Sequence, residues 1–384
     1  MFSGLLERLR LETKAIKDVV ELHEYSREFF YSVPNTPDSW SAVRAKDPSK
    51  RAWQVYDHCA ALLRLYAVYS IFLEDLVGDY LAALPDIYES YELLPEPILK
   101  QHRTGLGQIL LKLGETGPYR HLKDTEVILE FSKGMTGLRP YMLLKDAFLV
   151  DRQNYRAEAL GRLFANLGVA KICSRVGRHP SMTKFVTERL GDESTFVSEL
   201  DNFVGLRNEA AHSPVEDTIS VGRFLTIADF VLLTCELLAE IVSQSRAKCI
   251  AQRRPSAQLG VINHVYHSGK VAILKMSPAT IQVGEEIMLV SKDGKNTRVA
   301  KILSIQNDDS ATVSITASDG QEIGLGLDST CREGELVRRI LHEAKPSTPK
   351  ETSLPEAKDT ATTSTAPCDD IDQPKSPPDM SPDQ

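Results

Sequence analysis

The chain changes its hydrophobic period once, near residue 251, and that change restricts it to a helical part followed by a sheet part. Before it, apolar residues recur at intervals of three and four, the spacing of one helix face, and almost nothing alternates with period two. Leu5, Leu6, Leu9, Ile16, Val19 and Val20 outline one amphipathic helix over residues 1 to about 30. A turn-rich break follows at Ser32 to Pro37, and a long helix begins near Ala52. Residues 85–150 hold shorter helical pieces punctuated by Pro85, Pro95, Pro97, Gly117-Pro118 and Pro140, whose order the sequence does not fix. Further helices are expected over 154–176, over a stretch ending near His212, and from about Val221 to Cys249, with a turn at Gly177 to Pro180.

After residue 251 the pattern becomes short β-branched runs at 260–266, 270–276, 280–283, 286–290, 298–306, 311–317, 321–327 and 336–340. Asp293-Gly294 and Asp319-Gly320 read as hairpin turns. So many short strands in so little chain suit a small β-barrel. The expected organisation is a helical domain over 1–250, a linker over 251–257, a barrel over 258–342 and a tail over 343–384. The tail is Pro, Ser, Thr, Asp and Lys with almost no large apolar residues, so it should be disordered.

From Ala344 to Gln384 the tail carries eight acids against four lysines, half of the formal net charge of -8. The rest of the chain is therefore less acidic than its total suggests, and a local basic patch for RNA remains open to it. The six cysteines, Cys59, Cys173, Cys235, Cys249, Cys331 and Cys368, form no C-x-x-C pair, which leaves zinc and thioredoxin-like readings without support. No secretory leader is recognisable, so a cytoplasmic protein with reduced thiols is expected. The most apolar stretch, 224–242, contains Asp229, Glu236 and Glu240 and reads as a core helix, so no membrane partner is expected.

The stretch richest in chemistry is Arg207-Asn208-Glu209-Ala210-Ala211-His212, followed by Ser213-Pro214. It closes a run with Phe196, Leu200, Phe203 and Val204 on one helix face, and stepping along that face reaches Arg207. In an unbroken helix His212 would point about 140° away, at roughly 100° per residue. The two side chains can share one cleft only if the helix ends between them or a second copy supplies a partner. Pro214 disfavours helix at Ser213, so an end near His212 is expected. Arg51 and His58 offer a looser version of the same spacing. The structural alternative for His212 is to cap the last carbonyls of its helix.

An arginine followed by asparagine and, at the end of a helix, by Ala-His resembles the HEPN superfamily of ribonucleases, in its RiboL-PSP-type form. Residues 59–84, CAALLRLYAVYSIFLEDLVGDYLAAL, are similar to the long early helix of that branch. The resemblance covers about 52–249. The glutamate often found near the position of Ser70 is missing, and the nearest acids are Glu74 and Asp75, a turn later. The resemblance implies an all-α bundle, an endoribonuclease needing no cofactor or metal, and a symmetric homodimer with a composite site. It implies that His212 handles protons, Arg207 stabilises the phosphorane and Asn208 positions the motif. It also implies roles in toxin–antitoxin systems or antiviral defence, with RNA (tRNA among the candidates) as substrate and a cognate antitoxin or regulator as partner.

Residues 260–264, 269–273, 283–287, 301–306 and 320–325 follow the cadence of the second domain of elongation factor Tu and related translation proteins. No phosphate-binding loop precedes them, so this resemblance implies binding to RNA or a translation component, or packing on the helical part. Arg152, Arg156, Arg162, Arg175 and Arg178 lie in a stretch where cations outnumber acids and form a candidate RNA-backbone patch. A non-catalytic dimeric adaptor that binds through the barrel is the reading from another function class. Arg207 and His212 buried in salt bridges would favour it.

Overall fold

A computed structural model describes residues 2–32, 49–113, 117, 119–138, 140–150, 154–191, 193–215, 217–294, 296–307 and 310–341. The expected break at 33–37, Arg152 and the tail expected to be disordered lie outside these residues. The helices are α1 (Ser3–Ser32), α2 (Lys50–Ala82), α3 (Glu96–Lys112), α4 (Asp124–Met135), α5 (Ala157–Asn166), α6 (Ile172–Gly177), α7 (Pro180–Arg189), α8 (Phe196–His212) and α9 (Val221–Arg253). α1 packs antiparallel on α2, as their ion pairs show: Arg64 with Glu12 at 2.7 Å near the middle and Lys50 with Glu28 at 2.8 Å near one end. α8 and α9 pack on the other sides of α2. The core between them is built from Leu62, Leu65, Tyr69 and Leu73 of α2, Leu200 and Phe203 of α8, and Phe230 and Leu238 of α9, all fully buried. The stretch 224–242 is thus a core helix, and no described helix is long and apolar enough to cross a membrane.

The single helix expected over 154–176 is two. Gly168 takes a left-handed φ of 76°, and its N–H and that of Val169 close on Ala165 and Phe164 carbonyls, which ends α5. Helical periodicity alone does not register such a stop, because Leu167, Val169 and Ile172 keep the apolar spacing across it.

The strands are β1 (Ser256–Tyr266), β2 (Val271–Met276), β3 (Ala279–Gln282), β4 (Glu286–Val290), β5 (Thr297–Asn307), β6 (Ser310–Thr312), β7 (Ser314–Ala317), β8 (Glu322–Leu327) and β9 (Leu336–Ile340). They run in the order β4-β9-β1-β2-β8-β5-β6, and β4 also pairs with β5, so six strands return on themselves through main-chain bonds. β3 and β7 form a separate ribbon. Asp293-Gly294 does join a paired hairpin, β4–β5. Asp319-Gly320 does not: it leads from β7 to β8, which lie in different sheets, and the Gly320 N–H bonds to the Met276 carbonyl. The turn residues fix the reversal but not which strand the chain meets next.

Residues 251–257, expected as a linker, are divided between the last turn of α9 and the start of β1, with Arg254 and Pro255 between. The sheet is seated on α9. Met288 and Ile340 join the helical core beside Ile250, Val299 packs against it, and Arg246 meets Glu286 at 3.2 Å.

Candidate active site

α8 starts at a capping box, with Thr195 and Ser198 exchanging side-chain and backbone bonds. It continues unbroken through His212, and Ser213, in extended geometry, returns its N–H to the Glu209 carbonyl. The C-cap residue is Ser213, and His212, in the last turn, is exposed. The expected end of the helix falls just after the motif rather than within it. Within one chain the Arg207 and His212 side chains leave the helix about 140° apart and about 7.5 Å apart along its axis.

Arg207 sits on the buried line of α8, as its spacing from Phe203 and Leu200 requires. Its guanidinium carbon lies 3.6 Å from the centre of the Tyr66 ring, a cation–π stack. One terminal nitrogen, Nη1, donates to Asn208 Oδ1 at 2.8 Å and to Asn154 Oδ1 at 3.3 Å. Both acceptors are neutral amides. Among the described residues no carboxylate pairs with Arg207, and no hydrogen bond uses its Nε or Nη2. Asn208 stands on a helical stripe with Asp201, Gly205 and His212, at spacings of four, three and four. Its bond to Arg207 draws the guanidinium toward the edge of the face that carries His212.

Neither Tyr66 nor Asn154 was singled out from sequence. Tyr66 lies inside the Leu-Tyr-Ala run, where it reads as one more core aromatic. Asn154 has a left-handed φ of 53°, a conformation asparagine tolerates better than most residues. Tyr155 next to it is tied to α2 twice, donating its N–H to the Tyr66 hydroxyl at 3.1 Å and accepting from the Tyr69 hydroxyl at 3.2 Å. Asp201 of α8 caps α5 by accepting the Ala157 N–H at 2.8 Å. The loop that carries Asn154 is thus pinned to α2 and to the motif helix α8.

The more loosely spaced pair, Arg51 and His58, lies on α2 beside the C-terminal end of α8. His58 is buried, and burial pushes its pKa down while Glu209 opposes the shift and Arg51 adds to it. Arg51 donates to Thr218 at 3.1 Å and so ties down the loop after the motif. A buried imidazole on the core side of α2 is poorly placed to exchange protons with a ligand.

Of the candidate backbone-binding arginines, the four described lie on or beside two different elements, α5 and α6. Arg156 is the N-cap of α5 and is exposed, with its guanidinium near Gly205 of α8. Arg162 is exposed six residues on and pairs with Glu158. Arg178 is exposed just after α6. Arg175 is half-buried against α9, donating to Ser245 at 3.3 Å and Gln244 at 3.4 Å, and burial lowers its pKa. Of these four, Arg156 is the one whose guanidinium comes near the motif helix, at Gly205.

A helical bundle whose last-but-one helix ends in an arginine–asparagine–histidine motif is the arrangement of a HEPN domain. A family model described as HEPN_MAE_28990-like HEPN matches residues 17–248, and the chain belongs to that family. No curated protein matches the chain. Among solved structures, the C-terminal domain of a Geobacillus thermoleovorans protein described as a U32 peptidase aligns at 13% identity with a TM-score of 0.19. That alignment covers 22% of this chain and 90% of that one.

Proposed function

We propose that the protein is an endoribonuclease that cleaves RNA by attack of the 2'-hydroxyl on the adjacent phosphate. RNA supplies its own nucleophile, so the protein has to move protons and stabilise the added negative charge on the phosphorane. The observation that carries this reading is the state of Arg207: a fixed cation, stacked and oriented, with no carboxylate on it and no hydrogen bond on its Nε–Nη2 edge among the described residues. That edge is the planar fork that binds two oxygens of one phosphate. His212, exposed and near the same helix end, is the general base or acid. Asn208 orients the arginine.

The angle between the two side chains on an unbroken helix supports a homodimer, with a composite site on its two-fold axis and each copy completing the other. The closed ring of six strands supports a translation-protein-type barrel, for which RNA or a translation component is the expected ligand. A toxin or antiviral effector held by a cognate regulator is the biological setting that fits.

The test is purified wild-type, His212→Ala and Arg207→Ala protein with total RNA in EDTA, followed by end-group analysis. Wild-type protein should leave 2',3'-cyclic phosphate ends. Each variant should stay folded and lose cleavage by about 100-fold or more. Undiminished cleavage by His212→Ala removes that histidine from the mechanism.

A further inference from the structure

We infer that Asn154 is a positioning residue that holds Arg207 in place without neutralising it, so that the guanidinium remains available to a phosphodiester oxygen. The inference rests on the phosphate-binding role given to Arg207 above. A half-buried arginine ordinarily acquires a carboxylate partner, because an unpaired charge away from water is costly. Here the stabilisation is divided among neutral groups: the Tyr66 ring at 3.6 Å and the amide oxygens of Asn208 and Asn154.

The two amides consume both hydrogens of Nη1, and Tyr66 covers one face of the plane. What remains is the Nε–H and the two Nη2–H donors, and the Nε–H and one Nη2–H lie side by side along the edge away from Nη1. An oxyanion meeting that edge finds a positive charge that no carboxylate among the described residues pairs with.

Asn154 is the element of this arrangement that comes from outside the motif. It is presented by a loop whose next residue is bonded at both its N–H and its carbonyl to tyrosines of α2. The Asn154 carbonyl accepts the Arg156 N–H at 2.6 Å, which tightens the turn further. Tyr66 serves twice, since its hydroxyl anchors the loop while its ring carries the guanidinium. One side chain therefore registers loop, helix and cation together.

Aspartate has nearly the shape of asparagine and accepts the same hydrogen bond, yet it brings a charge. If Asn154 acted only as a structural tether, Asn154→Asp would be harmless or stabilising. If its neutrality matters, the new carboxylate will occupy Arg207 and exclude the ligand. The full-length protein is titrated with an RNA oligonucleotide carrying 2'-O-methyl groups throughout, which cannot be cleaved, at several salt concentrations. Asn154→Asp should melt at or above the wild-type temperature, bind about tenfold more weakly, and lose about one from the slope of log K against log salt. Asn154→Ala should keep the wild-type slope and lose less affinity.

Wild-type affinity and slope in Asn154→Asp would overturn the inference. So would a loss in Asn154→Ala as large as that in Asn154→Asp, because neutrality would then be irrelevant. Binding of the methylated strand with no cleavage of ordinary RNA would remove the reaction proposed above and leave this role of Asn154 standing.

Discussion

Arg207 illustrates how much one side chain's surroundings decide. Its place on the helix follows from the run Phe196, Leu200, Phe203, and any residue there would point at α2. In the proposed reaction what suits it to bind phosphate is that the atoms it meets are an aromatic face and two amide oxygens, none of them anionic. A lysine at the same place would keep the charge but lose both the flat stack and the two-pronged edge. Arg207→Lys should therefore lower cleavage by about 10- to 100-fold while the melting temperature stays within a few degrees. The two quantities are read by single-turnover kinetics and calorimetry, and near-wild-type turnover in the lysine variant would show that charge alone suffices. The motif was legible in the sequence because its spacing is local. Tyr66 and Asn154 were not, because each reaches Arg207 across a tertiary contact that no periodicity encodes.

At the scale of elements, the helix–sheet division and most element positions were legible, since apolar spacing follows directly from which face is buried. Misreadings arose where backbone conformation, not side-chain pattern, decides. Gly168 splits one apolar run into α5 and α6, and the turn at Asp319-Gly320 sends the chain to a different sheet. The piece between α2 and α5 was unreadable for another reason: its fixed points are polar. Buried His102 of α3 donates from Nδ1 to the Tyr91 hydroxyl at 2.9 Å and accepts the Leu144 N–H on Nε2 at 3.2 Å, stacked on Phe148. Burial, with a smaller contribution from Arg103, holds its pKa down to about 4. The folded state thus prefers the neutral ring. Its contribution is fully present above the unfolded pKa of about 6.5 and is lost as pH falls toward 4. The difference in melting temperature between wild type and His102→Gln should be largest above pH 6.5 and shrink toward pH 4, corresponding to about 3 kcal/mol at most. A difference that stays constant across that range would show that His102 does not titrate in it.

For the whole molecule, the unbroken α8 makes a dimer the economical way to bring a guanidinium and an imidazole to one phosphate. The proposed two-fold arrangement makes a prediction about mixtures. Arg207→Ala and His212→Ala proteins, each inactive alone, should regain part of the wild-type cleavage when their subunits are exchanged, because a mixed pair still carries one intact arginine and one intact histidine. Sedimentation of the wild-type chain as a monomer, or mixtures as silent as their components, would remove the shared site.

α9 runs from the loop after the motif to the foot of the sheet, 33 residues in one piece, roughly 50 Å at the usual rise. Ile250 near its far end sits in one apolar cluster with Met288 and Ile340. A chain severed at the apparent boundary would leave an oily scar on each fragment. Neither half would then be a faithful miniature of the intact protein, and the sheet stays at one fixed offset from the motif, as two tools are set by a common handle.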